Sequence, residues 1–204
     1  LTGHPITEYE SEIKNIVGNN LLSLKNGYKK QAGRGSLYKI AGVINSIRIR
    51  TTSTKEKLAQ INLGDNTDNI DVIANNNLLN DSINRDDIII IQGTLRLDDY
   101  TNRLSFRAKS IDSLEDARTK LATGIKFKVT NENDLPILIE KLELLFSDND
   151  KKGKCAVRID YMSSGITKSL VLGENYKIFP TNDIIEGLEK LDCVDKVELI
   201  YSSM

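Results

Sequence analysis

From Tyr38 to Asp112 apolar and polar residues alternate with a period of two, a pattern that half-buried β-strands sustain and helices do not. Five strands fit it. The first runs from Tyr38 to Arg50, with Ala41, Val43, Ile47 and Ile49 alternating with Gly42, Ser46, Arg48 and Arg50. Leu58 to Leu63 is the second, closed by a Gly64-Asp65-Asn66 turn, and Ile70 to Ala74 is the third. A short helical stretch, Asn76 to Asp81, precedes the fourth strand, Ile88 to Leu97. The fifth runs from Arg103 to Lys109, with Leu104, Phe106 and Ala108 on its apolar face.

Three strands, a short helix and two more strands, with Gly42 inside the first strand and Gly93 inside the fourth, predict a five-stranded OB-fold β-barrel. Another small β-barrel is the competing architecture, and it would not need the intervening helix. Residues 1–36 read as a lead-in, helical over 5–24, followed by a basic linker from Lys25 to Ser36. Residues 37–112 read as the barrel, 113–124 as a charged helical connector and 125–204 as a second domain. In that domain Ile125 to Val129 is a strand, and Asn133-Asp134 caps a helix whose apolar face is Leu135, Leu138, Ile139, Leu142 and Leu145. Ala156 to Tyr161 and Ile166 to Leu172 pair about a Ser163-Ser164-Gly165 turn, and Tyr176 to Phe179 adds a short strand. Thr181 caps a second helix, and Val194 to Tyr201 is the last strand. The expected class is α+β: an N-terminal helical segment, the barrel, and a small C-terminal α/β sandwich.

The inventory of reactive side chains excludes most chemistry. His4 is the only histidine, and Cys155 and Cys193 stand alone, so neither a catalytic triad nor a metal cluster is available and no cofactor is expected. Asp86-Asp87 and Asp98-Asp99 fall at strand edges, where solvated acids are ordinary. Gly33-Arg34-Gly35 lacks the lysine and hydroxyl residue of a phosphate loop. The longest apolar run, Ile88 to Ile91, is too short for a bilayer and no leader is visible, which predicts a cytoplasmic address with no membrane. The chain opens on Leu1 rather than Met and reads as a piece of a longer protein.

Charge supplies the positive signal. Lys25, Lys29, Lys30, Arg34, Lys39, Arg48, Arg50, Lys55 and Lys57 face only Glu56, whereas from Leu58 to Tyr100 eight aspartates outweigh Arg85 and Arg96. Period two sets Arg48 and Arg50 on one strand face, with Lys55 and Lys57 in the adjoining loop, where OB folds hold oligonucleotides. A merely solvated face is the bland alternative for any one of these residues. Tyr38 and Tyr100 are the available stacking platforms, fewer than dedicated single-strand binders use, so binding is expected to be modest and mostly electrostatic. At the other end Glu198, Leu199, Ile200 and Tyr201 form either a last core strand or a partner contact.

Leu1-Thr2-Gly3-His4-Pro5, then Ala41-Gly42-Val43-Ile44 with Ile47-Arg48-Ile49-Arg50-Thr51-Thr52, resemble the C-terminal region of the bacterial DNA polymerase III alpha-subunit family. Gly93, Arg96, Leu97 and Asp98, the Asp116-Ala117-Arg118 stretch, and the ending Lys196-Val197-Glu198-Leu199-Ile200-Tyr201 are also similar to it. The resemblance implies an OB domain that contacts single-stranded template DNA and a last domain that binds the clamp-loader tau subunit among other replisome subunits. It also places the polymerase acids upstream of Leu1, so this stretch polymerises nothing. Lys196 stands where the family's clamp-binding ending has glutamine, which argues against clamp binding here. Two readings compete: an anticodon-binding OB module of a tRNA-handling enzyme, and an OB domain whose face binds only protein.

Overall fold

The computed structural model describes residues 5–7, 9–28, 36–52, 55–79, 83–98, 102–130, 132–146 and 152–201. The chain divides into two compact units, 1–117 and 118–204. Among the described residues no helix is long and apolar enough to cross a membrane. The expected α+β class, with an OB-type barrel and a second small sheet, is what the fold shows.

The first unit is a closed barrel of β1 (Tyr38–Thr51), β2 (Lys57–Gly64), β3 (Asn69–Asn75), β4 (Ile88–Leu97) and β5 (Leu104–Ser113), in spatial order β1-β2-β3-β5-β4. A 3-10 turn over Asn76–Leu78 replaces the longer helical stretch expected there, and β5 continues four residues beyond Lys109. Inside the barrel Ile44, Ile61, Leu63, Val72, Ile89, Ile91 and Phe106 are wholly buried. β1 serves two neighbours, β4 with its first half and β2 with its second.

A bulge at Asn45 separates those halves, since Ile44 pairs with Leu63 but Ser46 with Asn62. One extra residue reverses which side chains point inward. Ile40 and Ile44 fill the core before the bulge and Ile47 packs on it after, so Ala41 and Val43 do not share a face with Ile47 as unbroken alternation suggested. Ala41 is buried instead on the outer side, where α1 (Glu10–Val17) brings Ile13 and Val17 to it. Gly42 and Gly93 mark close approaches. A Cβ on Gly42 would lie 2.7 Å from the carbonyl oxygen of Gly64, and one on Gly93 2.1 Å from that of Arg107, beside a second bulge at Lys109 of β5.

The lead-in is two short helices rather than one, because Gly18 turns at φ 80° and Asn20 starts α2 (Leu21–Asn26) by accepting from the Ser23 N–H at 2.8 Å. Asp65, in the β2–β3 turn, fastens α2 to the barrel. Its Oδ2 accepts from the Leu21 N–H at 2.8 Å, while Oδ1 accepts from Thr67 N–H, Thr67 Oγ1 and Asp68 N–H within 2.9 Å. Lys25 then pairs with Asp68 at 2.8 Å and holds its carboxyl below the usual carboxylate range. Of the linker expected from Lys25 to Ser36, Lys25 and Asn26 belong instead to α2, whose first turn is capped by Asn20, while residues 29–35, like His4, lie outside the described residues.

Helix α3 (Leu114–Leu121) opens with a reciprocal cap, the Asp116 N–H donating to Ser113 Oγ at 3.0 Å and Ser113 Oγ to Asp116 Oδ2 at 2.8 Å. The second unit is a four-stranded sheet in the order β8-β7-β6-β9, from β6 (Ala122–Val129), β7 (Lys152–Ser163), β8 (Ile166–Val171) and β9 (Val194–Tyr201). Helices α4 (Leu135–Leu145) and α5 (Asn182–Glu189) bury Leu138, Leu142, Ile184 and Leu188 with Ile125, Phe127, Val157 and Ile159. β6 and β7 start earlier than expected, and Tyr176 to Phe179 contributes only single-residue bridges at Ile178. Neither Asp134 nor Thr181 makes a side-chain cap: a 3-10 turn over 132–134 runs directly into α4. Ser164 and Gly165 form the tight β7–β8 turn, both at positive φ.

Replacing Asp65 with Ala should lower barrel stability by about 1–3 kcal/mol, because it leaves the Leu21 amide and the turn amides without their acceptor. Asp65→Asn, which keeps one carbonyl oxygen, should lose less. Amide exchange at Ile61 and Val72 in the full chain reads that opening free energy.

Candidate nucleic-acid interface

Strand register defines the barrel's outer face as rows of side chains. The uppermost row is Arg50, Leu58 and Asn75 on β1, β2 and β3. Next comes Arg48, Gln60, Ile73, Arg107 and Thr94, which runs from β1 across β2, β3 and β5 to β4. The lowest is Ser46, Asn62, Asp71, Ser105 and Arg96. Neighbouring strands are about 4.8 Å apart, so Arg48 and Arg107 stand roughly 14 Å from one another across the face.

The upper rows are open and cationic. Arg48, Arg50 and Arg107 are exposed, and among the described residues none has an acidic partner. Ile73 lies between them with 41% of its surface exposed, an aliphatic floor in place of an aromatic platform. The lowest row is occupied by its own hydrogen bonds. Asn45 Nδ2 donates to Asn62 Oδ1 at 3.0 Å and to Asn69 Oδ1 at 2.9 Å, and Asn62 Nδ2 donates to Asp71 Oδ1 at 2.9 Å. That end mixes charges, Asp71 with Arg96 in the row and Asp68 with Lys25 in the turn below, while the upper end is cationic and attracts phosphate.

The expected site residues do not form one group. Arg48 and Arg50 share the outer face, but Lys57 has the phase of Ala59 and Ile61 and belongs to the opposite side of the β1–β2 ribbon. Lys55 sits in the loop between them at φ 63°, in a turn closed by Thr52, whose N–H donates to the Glu56 carbonyl at 2.8 Å and whose carbonyl accepts from the Lys55 N–H at 3.0 Å. Tyr38 is at the far end of β1, opposite Gly93 and packed on the core, so it does not meet Arg48. Tyr100 lies outside the described residues. Arg107 was missed because its strand is remote in sequence. Its alternation with Phe106 marked it as outward, but only the parallel pairing of β3 with β5 brings it beside Ile73.

At the C-terminal end Leu199 faces the core, Tyr201 pairs with Ala122, and Ile200 lies over Gly124 with 39% exposed. Glu198 is held between Lys126 Nζ at 2.9 Å and Lys196 Nζ at 2.7 Å, and the Lys126 hydrogen bond chiefly keeps its carboxyl below the usual range. A lowered folded-state pKa adds stability above the unfolded value, 4.5, that is lost as pH falls through the folded one. Glu198→Gln should therefore melt below the parent near neutral pH and match it well under pH 4.5, a comparison that thermal scans across pH provide.

A closed five-stranded barrel with a cationic outer face is the form of an OB-fold nucleic-acid-binding domain. Residues 38–114 match the tRNA anticodon family model, described as an OB-fold nucleic acid binding domain. Over 98% of its length the chain is 28% identical to DNA polymerase III subunit alpha of Pseudomonas aeruginosa, and over the same share 25% identical to that of Escherichia coli K12. It is homologous to a segment of that subunit that includes an OB domain, and spans 17% of the length of these relatives. A solved mitochondrial single-stranded DNA binding protein from S. cerevisiae, Rim1, overlays with a TM-score of 0.36 at 15% identity, covering 40% of this chain and 96% of that one.

If the outer face holds a polyanion, Arg107→Ala and Arg48→Ala should weaken binding to a labelled oligonucleotide by similar factors, and Lys57→Ala by less. Fluorescence anisotropy at low salt makes the comparison.

Proposed function

We propose that the first unit holds single-stranded DNA during replication, along the row from Arg48 through Gln60 and Ile73 to Arg107. The observation that carries this reading is the row itself: guanidinium groups at Arg48 and Arg107 with an aliphatic floor between them. Arg50 and Lys55 extend the positive end towards the β1–β2 loop. Homology to the DNA polymerase III alpha subunit supports DNA as the ligand. Contacts of this kind read backbone charge rather than base identity, so binding is sequence-tolerant and weak, on the order of 10⁻⁴ to 10⁻⁶ M at physiological salt.

The reading assigns no chemical step to this stretch and no cofactor. It gives the second unit a docking role towards the clamp-loader tau subunit, in the bacterial cytoplasm. That role does not rest on the terminal residues, since Leu199 is inward and Glu198 is tied to two lysines. The anticodon family match keeps an RNA ligand as a second reading.

Each phosphate neutralised on a single strand contributes about 0.7 to the slope of log affinity against log salt. The triple variant Arg48→Ala, Arg50→Ala, Arg107→Ala should thus lower the slope for a DNA oligonucleotide by about 2 and weaken binding roughly tenfold or more at low salt. An unchanged slope would rule out the row. Tighter binding of RNA than of DNA of the same sequence would favour the anticodon-type reading.

A further inference from the structure

Among the described residues eleven large apolar side chains are exposed, and four of them belong to one hairpin: Met162 on β7, and Ile166, Leu170 and Val171 on β8. All six residues of β8 are exposed, and the strand is the edge of its sheet. Edge strands usually carry charge, proline or bulges that discourage further pairing. β8 pairs with β7 without a register shift, contains no proline and has Lys168 as its one charge.

Register orders its side chains by face. Leu170 lies opposite Ile159 and Lys168 opposite Tyr161, so Ile166, Lys168 and Leu170 lie on the side that carries the helices. Thr167, Ser169 and Val171 lie on the other. The helix-side sequence is therefore apolar, basic, apolar at alternate positions. Lys168 Nζ donates to Ser163 Oγ at 3.1 Å, a neutral partner that leaves its charge uncompensated.

From this geometry we propose that β8 is a strand-addition site for an extended peptide of a partner protein, one with an acidic residue flanked two positions away on each side by apolar residues. Backbone hydrogen bonds to the free edge supply the general attraction, and side chains at alternate positions supply selectivity. The acidic residue lies against Lys168, and its apolar neighbours lie against Ile166 and Leu170. A second copy of this chain fits less well. The antiparallel register that lays Ile166 on Leu170 of another copy also lays Lys168 on Lys168, and like charges directly opposite one another are destabilising. The proposal rests on the reading of the second unit as a docking module and places that docking at β8, away from the chain terminus.

The probe is an acetylated, amidated nonapeptide with a central glutamate, isoleucine two residues to either side, and threonine elsewhere. Titrated into the ¹⁵N-labelled full chain, it should shift the amides of Ile166 to Val171 and slow their exchange. Lys168→Glu should weaken this binding roughly threefold, the worth of a cross-strand charge pair, and should prefer a peptide with a central lysine instead. Lys168 is exposed, so the variant's folding is checked by its unchanged spectrum elsewhere. No response in β8, equal affinity of the variant for both peptides, or concentration-dependent dimerisation through β8 would each overturn the proposal. Calorimetry with the tau subunit, run in parallel, separates the levels. Binding by the parent that Lys168→Glu leaves untouched, together with a silent peptide titration, would overturn strand addition and spare the docking role. Failure of tau to bind the parent would fall on the docking role alone, with the peptide titration still deciding the edge.

Discussion

One inserted residue in β1 controls what the barrel can present. Before Asn45 the inward set is Ile40, Gly42 and Ile44, and if that phase continued Ser46, Arg48 and Arg50 would be driven into the barrel. Guanidinium groups cannot be buried there without partners, so an unbroken strand of this sequence would be incompatible with the core. The bulge moves Ile47 inward and the arginines outward in a single step. It is secured by its own side chain, since the Asn45 amide bonds to Asn62 on β2 and Asn69 at the start of β3. The pairing of β1 with β4 on one side and β2 on the other, the closure of the barrel and the composition of the outer face all follow from that position.

The bulge also explains what could and could not be read in advance. Strand positions were legible because β2, β3, most of β5 and each half of β1 alternate, and β4 was legible at both ends because Ile88 to Leu97 lies between turn-forming residues. The phase of β1 was not. Ala41 and Val43 are as apolar as Ile47, and nothing local reveals that helix α1 rather than the barrel interior buries Ala41. Arg48 and Arg50 were placed outward correctly because the half of the strand that carries them alternates regularly. Lys57 was grouped with them by proximity in sequence, although hairpin register gives it the opposite face. Arg107 needed the β3–β5 pairing, a contact between residues more than thirty apart, which no window of local sequence contains. The helix caps failed for another reason: Asp134 has the right chemistry, but its helical backbone in the 3-10 turn before α4 withholds the bond, whereas Thr181 has the extended backbone of an N-cap and makes no side-chain bond.

Charge along the chain maps onto position in the barrel with little loss. Because β2 runs from the β1–β2 loop to the β2–β3 turn, the change from basic to acidic sequence becomes a gradient down the outer face, with Lys55 at one end and Asp65 and Asp68 at the other. The acids are not idle surface. Asp65 and Asp68 spend their lone pairs on α2 and the turn, and Asp71 accepts from Asn62, so the negative end is built from groups with structural partners. Arg48, Arg50 and Arg107 have no acidic partner among the described residues, and unpaired exposed cations are the groups that bind an external polyanion without first breaking an internal bond.

The two units differ in what they leave for a ligand. A closed barrel gives every strand two neighbours, so it has no free edge strand and recognition falls chiefly to side chains. That favours a ligand bound by charge and surface contact, as a nucleic-acid backbone is. The second sheet stays open, and an open sheet keeps a row of backbone donors and acceptors at each edge. At β9 this edge is flanked by Lys126 and Lys196, which share the carboxylate of Glu198. At β8 the flanking residues are Ile166, Leu170, Val171 and the unneutralised Lys168. An edge whose cations already have a carboxylate partner gains less from an acidic peptide than one with several exposed apolar side chains about a cation that has none. The division of labour between a side-chain surface for nucleic acid and a backbone edge for protein therefore follows from whether each sheet closes.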